Sequence, residues 1–537
     1  MTLLDIDAPA PRDTRLGFWL LAGLVVLVAA GKPILFDTID PDCFWHLRVA
    51  QQLHTDGIGP LVDRLSFASL QKPWTPYSWL AELGMEAVWK HGGWRAAVAT
   101  QSILQGLFIG LIALSCRIPA AERRKDKRPP KRLFMTDPST AGAFQSAVVT
   151  AFAAFVSLAY LSFRPVTAAL ALLALCALLL VRDRRSGERT RAVWLLVPIT
   201  LLVVNMHLYA VFIPLWVFAL LGGALWERQF AGPEHRGEAD RRAMRYGMLM
   251  VATGLACLAT PMLPGAIASA LHYQYADPMV SMGAIEEMKP FYHGIAGKIS
   301  ATLVLTFSAL ALWNRDRVRV GEWIWLVISG VLLIRLGRFA PVFVIVAAPI
   351  FAKTLPRREG GILGSRLVCA LMVVVLAGGL WRLAVSFPRS DMKMEAWLNR
   401  HGPTAPGYPC AAAGFVADRV TPTTGCIINE FSWGGYLEWR LGDNYRTLLD
   451  GRTQLFAPSF WRATYLGSEE QRQGFLANVR ADAAVLPIRN SRFHDTLIAL
   501  GWQPAYRDER AEVLVPPAKV AQEAGGKWPF ATTLFDQ

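Results

Sequence analysis

The chain has 537 residues, of which 53% are apolar and 18% are charged, and its mean hydropathy is +0.32. These values exclude a wholly soluble protein and predict that part of the chain is embedded in lipid. In a soluble protein, the net charge of +14 would suggest a nucleic-acid partner. Here the basic residues cluster between apolar runs, so we expect membrane lipids as partners and no nucleic acid.

Apolar runs long enough to cross a hydrocarbon core of about 30 Å recur through the first two thirds of the chain. We predict eleven transmembrane helices, near residues 16–36, 96–116, 143–162, 166–182, 193–207, 210–226, 246–263, 296–313, 322–335, 339–354 and 367–385. Every second connection is basic, with eight Lys and Arg residues within 117–132. The positive-inside rule places these loops and the N-terminus in the cytoplasm, and an odd number of crossings leaves the C-terminus outside.

The chain thus divides into a predicted transmembrane domain, residues 1–385, and a predicted extracytoplasmic or periplasmic domain, residues 386–537. The first domain includes an external, amphipathic first loop at 37–95. In the tail, runs rich in β-branched and apolar residues predict strands at 425–429, 447–450, 483–487 and 512–516, with a helix at 459–479. The predicted fold class is a polytopic α-helical protein of the plasma (inner) membrane with a C-terminal α/β domain.

Two cysteines of the tail, Cys410 and Cys426, lie on the predicted outer side. An oxidising compartment allows a disulfide between them that closes a loop of about sixteen residues. The alternative is that both stay thiols, and the spacing does not decide between the two.

Polar side chains gather at the predicted outer ends of the helices. They are Asp40, Asp42, Arg164, Asn205, His207, Glu286, Glu287, Arg335 and Arg338. Ionisable groups near membrane depth are costly and usually face a cavity or a partner. Their convergence therefore predicts a site at the outer membrane surface, with acids and bases together.

Each of these residues also has a purely structural explanation. The two arginines near residue 336 reach the interface by snorkelling, the Asn and His near 206 satisfy turn backbone, and the two glutamates are a solvated loop. Asp40 and Asp42 accept hydrogen bonds from free amides at the start of the surface helix. We keep both explanations open at this point.

The first loop carries a motif. Asp42-Cys43-Phe44-Trp45-His46-Leu47-Arg48 resembles the Asp-Pro-aromatic-aromatic-His-Leu-Arg motif of oligosaccharyltransferase catalytic subunits. In that family the motif also follows the first transmembrane helix, and its Asp is catalytic. The resemblance implies that Asp42 is the catalytic carboxylate, and Asp40-Pro41 gives a second, shifted match.

Further segments are similar to the same family. Gly57-Ile58-Gly59-Pro60 and Asp63-Arg64-Leu65-Ser66-Phe67 resemble the continuation of the first loop. In the tail, Ser432-Trp433-Gly434-Gly435-Tyr436 and the following 446–447 and 450–453 resemble the Trp-Trp-Asp-Tyr-Gly region. The family's Asp in that region helps to read the acceptor sequon, and glycine cannot replace it. The resemblance is therefore to the wider GT-C superfamily of integral membrane glycosyltransferases.

Membership of that superfamily implies a transferase that moves a sugar or oligosaccharide from a polyprenyl-phosphate or diphosphate donor to an extracytoplasmic glycan, lipid or protein acceptor. On this hypothesis Arg335, Arg338, Arg164 and His207 bind the donor phosphate. Glu286, Glu287 and His46 are candidate ligands of the acceptor or of a metal. A carboxylate acts on the acceptor directly or by holding a divalent cation, Mg²⁺ or Mn²⁺.

Two other classes compete with an enzyme. A polytopic transporter or a flippase of lipid-linked saccharides also uses many helices and intramembrane charge. A transporter more often places its ionisable groups near the midplane, whereas here they lie at one predicted surface, which favours the enzyme. A third interpretation is a noncatalytic assembly scaffold with a degenerate fold.

Overall fold

The computed structural model describes residues 12–117, 143–230, 232–356, 365–400, 407–522 and 528–532. The predicted cytoplasmic basic segment at 123–132 lies outside these ranges. The chain forms two compact units. The first comprises 1–37, 98–260 and 285–387, and the second comprises 38–97, 261–284 and 388–537. The first loop and part of the middle loop therefore fold with the C-terminal tail, whereas the predicted domains were contiguous segments.

Most of the described chain is helical. In chain order the helices are α1 (Arg12–Leu35), α2 (Pro41–Asp56), α3 (Trp79–Arg117), α4 (Ala143–Ser157), α5 (Pro165–Arg185), α6 (Leu196–Val204), α7 (Phe212–Phe230), α8 (Pro233–Ala256), α9 (Leu263–Tyr275), α10 (Pro278–Ser281), α11 (Gly294–Trp313), α12 (Val320–Arg335), α13 (Ala340–Thr354), α14 (Arg366–Ser386), α15 (Met394–Leu398), α16 (Cys410–Phe415), α17 (Gly434–Leu441), α18 (Pro458–Trp461), α19 (Glu469–Leu476), α20 (His494–Ala499) and α21 (Pro517–Val520).

Seven helices of the described ranges are long and apolar enough to cross a membrane, by length and composition. They are Leu16–Leu35, Trp79–Arg117, Pro165–Arg185, Leu208–Phe230, Gly294–Trp313, Gly337–Thr354 and Arg366–Ser386, and two shorter apolar helices cover Phe144–Tyr160 and Arg191–Val204. The chain is thus a multi-pass membrane protein. Each of the eleven predicted helices has a counterpart, but α12 has only 16 residues and α8 begins with a polar stretch. The count of eleven crossings stays a prediction.

Helix α3 joins the end of the first loop to the second predicted transmembrane helix. Gly93 interrupts it with φ of +63° and ψ of −163°. Side chains with a Cβ rarely adopt this conformation, so glycine is what allows the kink. The kink lies three residues before the predicted start of the helix at 96, which explains why the sequence pattern began there.

The core of the first unit is built around α13. All fifteen residues of this helix are buried, and it packs against α4, α5, α11 and α12. A helix that is apolar on every side is expected at the centre of a bundle. In contrast, only 11% of the most apolar stretch of α14 and 17% of that of α11 are buried. Their uncovered apolar faces suit contact with lipid.

The second unit contains the strands. They are β1 (Leu61–Val62), β2 (Pro73–Trp74), β3 (Gly425–Asn429), β4 (Tyr445–Thr447), β5 (Ala483–Pro487), β6 (Gln503–Arg507), β7 (Ala511–Val515) and β8 (Ala531–Thr532). One sheet has the order β4-β3-β5-β7-β6-β8, with β3 parallel to β4 and β5, and β7 antiparallel to both of its neighbours. The predicted α/β domain is confirmed.

The strand predictions differ in quality for a physical reason. The predicted strands 425–429 and 483–487 match β3 and β5, whose residues are almost all buried. Strand β6 was missed because Gln503-Pro504-Ala505-Tyr506-Arg507 lacks an apolar run. The predicted helix 459–479 is broken into α18, a wide turn at Arg462–Leu466 and α19.

Cys410 and Cys426 are both free cysteines, so the structure has the second of the two alternatives that the sequence left open. The two thiols have different surroundings. Cys410 starts α16 and interacts with Tyr436 and Asn399, whereas Cys426 lies in β3 beside Asp482 and Arg446.

Candidate active site

Helix α2 separates the roles of the two candidate aspartates. Asp40 is the N-cap, and its carboxylate accepts a hydrogen bond from the Asp42 backbone N at 3.0 Å, with Pro41 at the first helical position. The capping explanation therefore applies to Asp40. Asp42 lies in the first turn, where its Oδ1 accepts a hydrogen bond from Trp45 Nε1 at 3.1 Å. Its carboxylate is oriented by a side chain one turn further along the helix.

The remaining polar residues of the motif each bind an acid. His46 Nδ1 lies 2.9 Å from Glu82 Oε1 at the start of α3, and the two side chains are buried. Arg48 pairs with Asp443 of the tail and donates to Gln51 Oε1 at 2.5 Å. Sequence analysis missed Glu82, because nothing in a sequence spacing of 36 residues shows that it would meet His46.

Phe44 packs the motif against aromatic residues of the tail. Its ring packs edge-on against Trp89, Tyr408 and Tyr436 at centroid distances of 5.2 to 5.9 Å, and it also contacts Trp439. Such aromatic pairs add to the free energy of burial, and Phe44 is fully buried. Helix α17 thereby packs on α2, so the two segments that resemble oligosaccharyltransferases are neighbours in the second unit.

Gly434 and Gly435 leave no room for a carboxylate. A Cβ at Gly434 would overlap Leu449 O and approach Asp450 Cα to 2.9 Å. A Cβ at Gly435 would lie 3.0 Å from Trp45 N and 3.2 Å from Pro41 O. Both neighbours are backbone and cannot move aside cheaply. The close packing of α17 on α2 and on the segment after β4 thus requires glycine at these positions, where the Trp-Trp-Asp-Tyr-Gly pattern has an Asp.

A buried ionic network joins the first loop to the tail. Arg452 Nη1 donates to Asp63 Oδ1 at 2.8 Å, and Arg452 Nε donates to Asp450 Oδ1 at 3.0 Å. All three side chains are fully buried. Asp63 also accepts from Leu65 N at 3.1 Å and from Ser69 Oγ at 2.6 Å. Buried charges of this kind need both a partner and hydrogen bonds, and here they have both.

Glu438 on α17 is a further buried acid beside this network, and sequence analysis did not single it out. Burial and the neighbouring Asp450 raise its pKa well above the usual range, although Arg452 opposes the shift. Burial thus favours the protonated form of Glu438 in the folded protein. Its Oε1 lies 2.5 Å from the hydroxyl of Thr447, which donates to it.

The first unit holds a second cluster of predicted residues, centred on Glu287. Arg164 Nη2 donates to Glu287 Oε2 at 2.8 Å, and Arg338 Nη2 lies 4.0 Å from Glu287 Oε1. The side chains of Arg164, Glu287 and Arg338 are only 17%, 26% and 23% exposed. We call these three residues, together with His207, the Glu287 cluster.

Glu287 is the charged acid of the cluster. Burial alone would raise the pKa of Glu287, but Arg164 and Arg338 outweigh it and lower that pKa to about 2. Glu287 is consequently ionised at any physiological pH. Two guanidiniums therefore face this one carboxylate.

His207 lies in the cluster as a neutral group. Burial and the two arginines lower the pKa of His207 to about 3. Its Nδ1 accepts a hydrogen bond from Tyr209 N at 3.2 Å, so the proton of the neutral ring is on Nε2. The imidazole can therefore donate a hydrogen bond to an anion but brings no charge.

Three helix N-termini meet at this cluster. Arg164 is the N-cap of α5, His207 is the N-cap of the 3-10 turn Leu208–Val211 that leads into α7, and Arg338 belongs to the 3-10 turn Gly337–Phe339 before α13. Arg338 Nε lies 3.3 Å from Tyr209 Oη, which connects two of these ends. Helix N-termini carry partial positive charge and exposed N–H groups, so the arrangement favours an anion.

Arg335, Glu286 and Asn205 were predicted for the same site. Arg335 is exposed at the end of α12. Glu286 is exposed and pairs with Lys289. Asn205 Nδ2 donates to Leu201 O at 2.8 Å and to Ala259 O at 3.1 Å, which matches the turn-satisfying explanation.

The predicted divalent cation was tested against the available side chains. Within the described ranges, no group of three or more His, Cys, Asp or Glu side chains is arranged to hold a metal ion. Glu287 is engaged by arginines, and Asp42 by Trp45. The cation stays a prediction, as does the prediction that Asp42 faces a cavity with Arg164, His207, Arg335 or Arg338.

No family model matches the chain, and no curated protein matches it by sequence. Solved structures do match it. ArnT from Cupriavidus metallidurans in the apo state is 14% identical, with 96% of this chain and 99% of that chain covered and a TM-score of 0.50. The structure of the same protein bound to undecaprenyl phosphate covers 95% of this chain and 98% of its own chain, with a TM-score of 0.46.

A further match is the archaeal oligosaccharyltransferase AglB from Archaeoglobus fulgidus in complex with an inhibitory peptide and a dolichol-phosphate. It is 14% identical, with 88% of this chain and 69% of that chain covered and a TM-score of 0.46. At these identities the likeness concerns the fold. The chain is therefore a multi-pass helical membrane protein with a C-terminal α/β domain and the GT-C fold of ArnT, to which it is distantly similar.

Proposed function

We propose that this protein is a membrane glycosyltransferase that transfers a sugar or oligosaccharide from a polyprenyl-phosphate or polyprenyl-diphosphate donor to an extracytoplasmic acceptor. The observation that carries the proposal is the Glu287 cluster, in which Arg164 and Arg338 share one carboxylate at the ends of membrane helices. The fold and the motif around Asp42 support the same conclusion.

The cluster suits a lipid phosphate. Arginine binds phosphate oxygens through two parallel N–H groups, and its charge persists at every physiological pH. A polyprenyl phosphate keeps its isoprenoid chain in the bilayer and its phosphate at headgroup level. Cations at helix ends can therefore neutralise the phosphate that leaves when the glycosidic bond breaks.

In this proposal Asp42 acts on the acceptor. An acceptor hydroxyl or amine attacks the anomeric carbon of the donor sugar, and its proton passes to the Asp42 carboxylate. The bond between the anomeric carbon and the phosphate oxygen breaks, and the polyprenyl phosphate or diphosphate leaves with the electron pair. A single displacement of this kind inverts the configuration at the anomeric carbon. The step balances without a metal ion.

We further propose the orientation that the basic loops predict. The N-terminus is then cytoplasmic and the C-terminal α/β domain is extracytoplasmic, in the plasma membrane. A lipid-linked donor presented in the outer leaflet would reach the acceptor there, which agrees with the predicted outer position of the polar residues.

Binding of undecaprenyl phosphate to the purified protein in nanodiscs tests the proposal. Arg164→Ala and Arg338→Ala should each weaken binding by about 10- to 100-fold, because each removes charge-assisted hydrogen bonds of about 1.5–3 kcal/mol. Arg335→Ala is the matched control, since the same side chain is lost only three positions away at an exposed site. We expect it to stay within about threefold of wild type.

Equal losses for Arg335→Ala and Arg338→Ala would reduce the effect to general surface charge and contradict the assignment. Wild-type affinity in both Arg164→Ala and Arg338→Ala would remove the cluster from the donor site. Melting temperatures of all variants, measured in the same nanodiscs, separate lost binding from lost folding.

A further inference from the structure

Gly451 lies directly against the Asp42 carboxylate. A Cβ at this position would overlap Asp42 Oδ1 and come within 2.8 Å of Trp45 Nε1. These two atoms are the acceptor and donor of the hydrogen bond that orients Asp42. The backbone of Gly451 therefore covers that hydrogen bond, and a side chain at this position would have to displace the Asp42 carboxylate or the Trp45 ring.

The turn that carries Gly451 is held rigidly on both sides. Asp450 Oδ1 accepts a hydrogen bond from Arg452 N at 2.7 Å, and the Arg452 guanidinium bridges Asp450 and Asp63. Thr453 Oγ1 donates to Asp277 Oδ2 at 2.6 Å, and Asp277 is itself buried. We call residues 450–453 the DGRT turn. Segments from the first loop, the middle loop and the tail thus fix the position of one glycine.

We propose that the DGRT turn is a positioning element for the Asp42 carboxylate, which it holds against Trp45 through Gly451. The inference rests on the proposed function, because it assumes that Asp42 acts in sugar transfer. A reacting carboxylate must be held close to its productive geometry, and a displacement of about 1 Å can cost about a hundredfold in rate. Gly451 sets this geometry by contact, and Arg452 sets the place of Gly451.

The first test is the added methyl group of Gly451→Ala. We expect kcat to fall by about 10- to 100-fold with little change in KM, since the methyl displaces Asp42 while the donor-binding residues are untouched. The assay follows release of polyprenyl phosphate from lipid-linked saccharides extracted from the native organism's membranes. Gly474→Ala is the control, because Gly474 lies on α19 in the same domain and nothing lies within 4 Å of its Cβ position.

The pH profile separates positioning from mere structural damage. Trp45→Phe removes the N–H donor to Asp42 Oδ1, so its carboxylate becomes harder to ionise and the acidic limb of kcat moves to higher pH. Gly451→Ala should move the limb in the same direction, because it pushes the carboxylate away from the same donor. A general loss of folding would lower kcat at every pH and leave the limb in place.

A stability cycle tests the contact without any substrate. Gly451→Ala should lower the melting temperature of the wild type more than that of Asp42→Ala, because the shortened side chain removes the overlap with Asp42 Oδ1 and leaves only the approach to Trp45 Nε1. An equal loss in both backgrounds would show that Gly451 does not act through Asp42 and would overturn the inference. Wild-type kcat in Gly451→Ala would overturn it as well.

The two proposals fail in different ways. If Asp42→Asn turns over normally, the proposed function of Asp42 fails, whatever Gly451→Ala does. If Asp42→Asn is inactive and Gly451→Ala is fully active, only the positioning role fails.

Discussion

At the residue scale, the charge state of the Glu287 cluster is fixed over the whole physiological range. The arginines lower the pKa of Glu287 to about 2, and burial with the same arginines lowers the pKa of His207 to about 3. Neither group titrates near neutrality. Glu287 therefore keeps its negative charge and His207 stays neutral across this range.

Because these charge states do not change, we expect the affinity for a lipid phosphate to be nearly independent of pH. The affinity for undecaprenyl methyl phosphate, a phosphodiester whose single charge does not titrate, should change by less than about twofold between about pH 5 and 8. Titrations in nanodiscs at fixed ionic strength measure it. A sigmoidal change centred near pH 6 to 7, which is the usual range of a histidine, would contradict the neutral state of His207.

Unlike the binding affinity, the contribution of Glu287 to the stability of the folded protein depends on pH. Its pKa is lower in the folded protein than the usual value of about 4.3 in an unfolded chain. The stabilisation is thus fully present above about pH 4.3 and is lost as the pH falls toward about 2. At the pH of any binding assay the ion pairs with Arg164 and Arg338 are intact.

At the element scale, α17 connects the tail to α2 and carries the buried acid Glu438. Because burial and Asp450 raise its pKa, the folded state keeps a proton that the unfolded chain releases above about pH 4.3. The contribution of Glu438 to stability is therefore present below that pH and is lost as the pH rises toward the raised pKa.

The side chain of Gln resembles a protonated Glu and does not titrate. Glu438→Gln should therefore not lose stability as the pH rises. We expect its melting temperature to exceed that of the wild type at about pH 9, with little difference at about pH 5. Glu470→Gln, an exposed acid in the first turn of α19, serves as the control and should follow the wild-type slope. Parallel slopes for Glu438→Gln and wild type would show that Glu438 is not protonated in the folded protein.

The same elements show what a sequence can and cannot predict. The motif around Asp42 was predictable because its residues lie within two turns of one helix. Strands β3 and β5 were predictable because each is a short apolar run. In contrast, the acidic partners of His46 and Arg452 are distant from them in sequence. Glu82 lies 36 residues from His46, and Asp63 lies 389 residues from Arg452. No local pattern marks such pairs.

At the scale of the whole molecule, the sequence predicted the membrane class and the α/β tail but not how the segments group. Hydropathy identifies spans because each one stands out by itself. The first loop and residues 261–284 fold with the tail, and this depends on buried contacts such as Thr453 with Asp277. The amino-acid composition does not predict those contacts.

We propose that Asp42 carries the chemistry of sugar transfer, whereas Asp40 caps α2. Asn replaces Asp well at a helix N-cap, so Asp40→Asn should retain folding and turnover within about threefold of wild type. Asp42→Asn is nearly isosteric but cannot take a proton from the acceptor. It should fold normally and lose at least about a hundredfold in turnover.

The decisive measurement is release of polyprenyl phosphate from the extracted lipid-linked saccharides, with the organism's envelope fraction as acceptor, by wild type, Asp40→Asn and Asp42→Asn. Our account predicts turnover in the first two proteins and its loss in the third. Full turnover by Asp42→Asn would contradict it and move the catalytic role to Asp40. Translocation of the lipid-linked saccharide without any release by the wild type would instead identify a flippase.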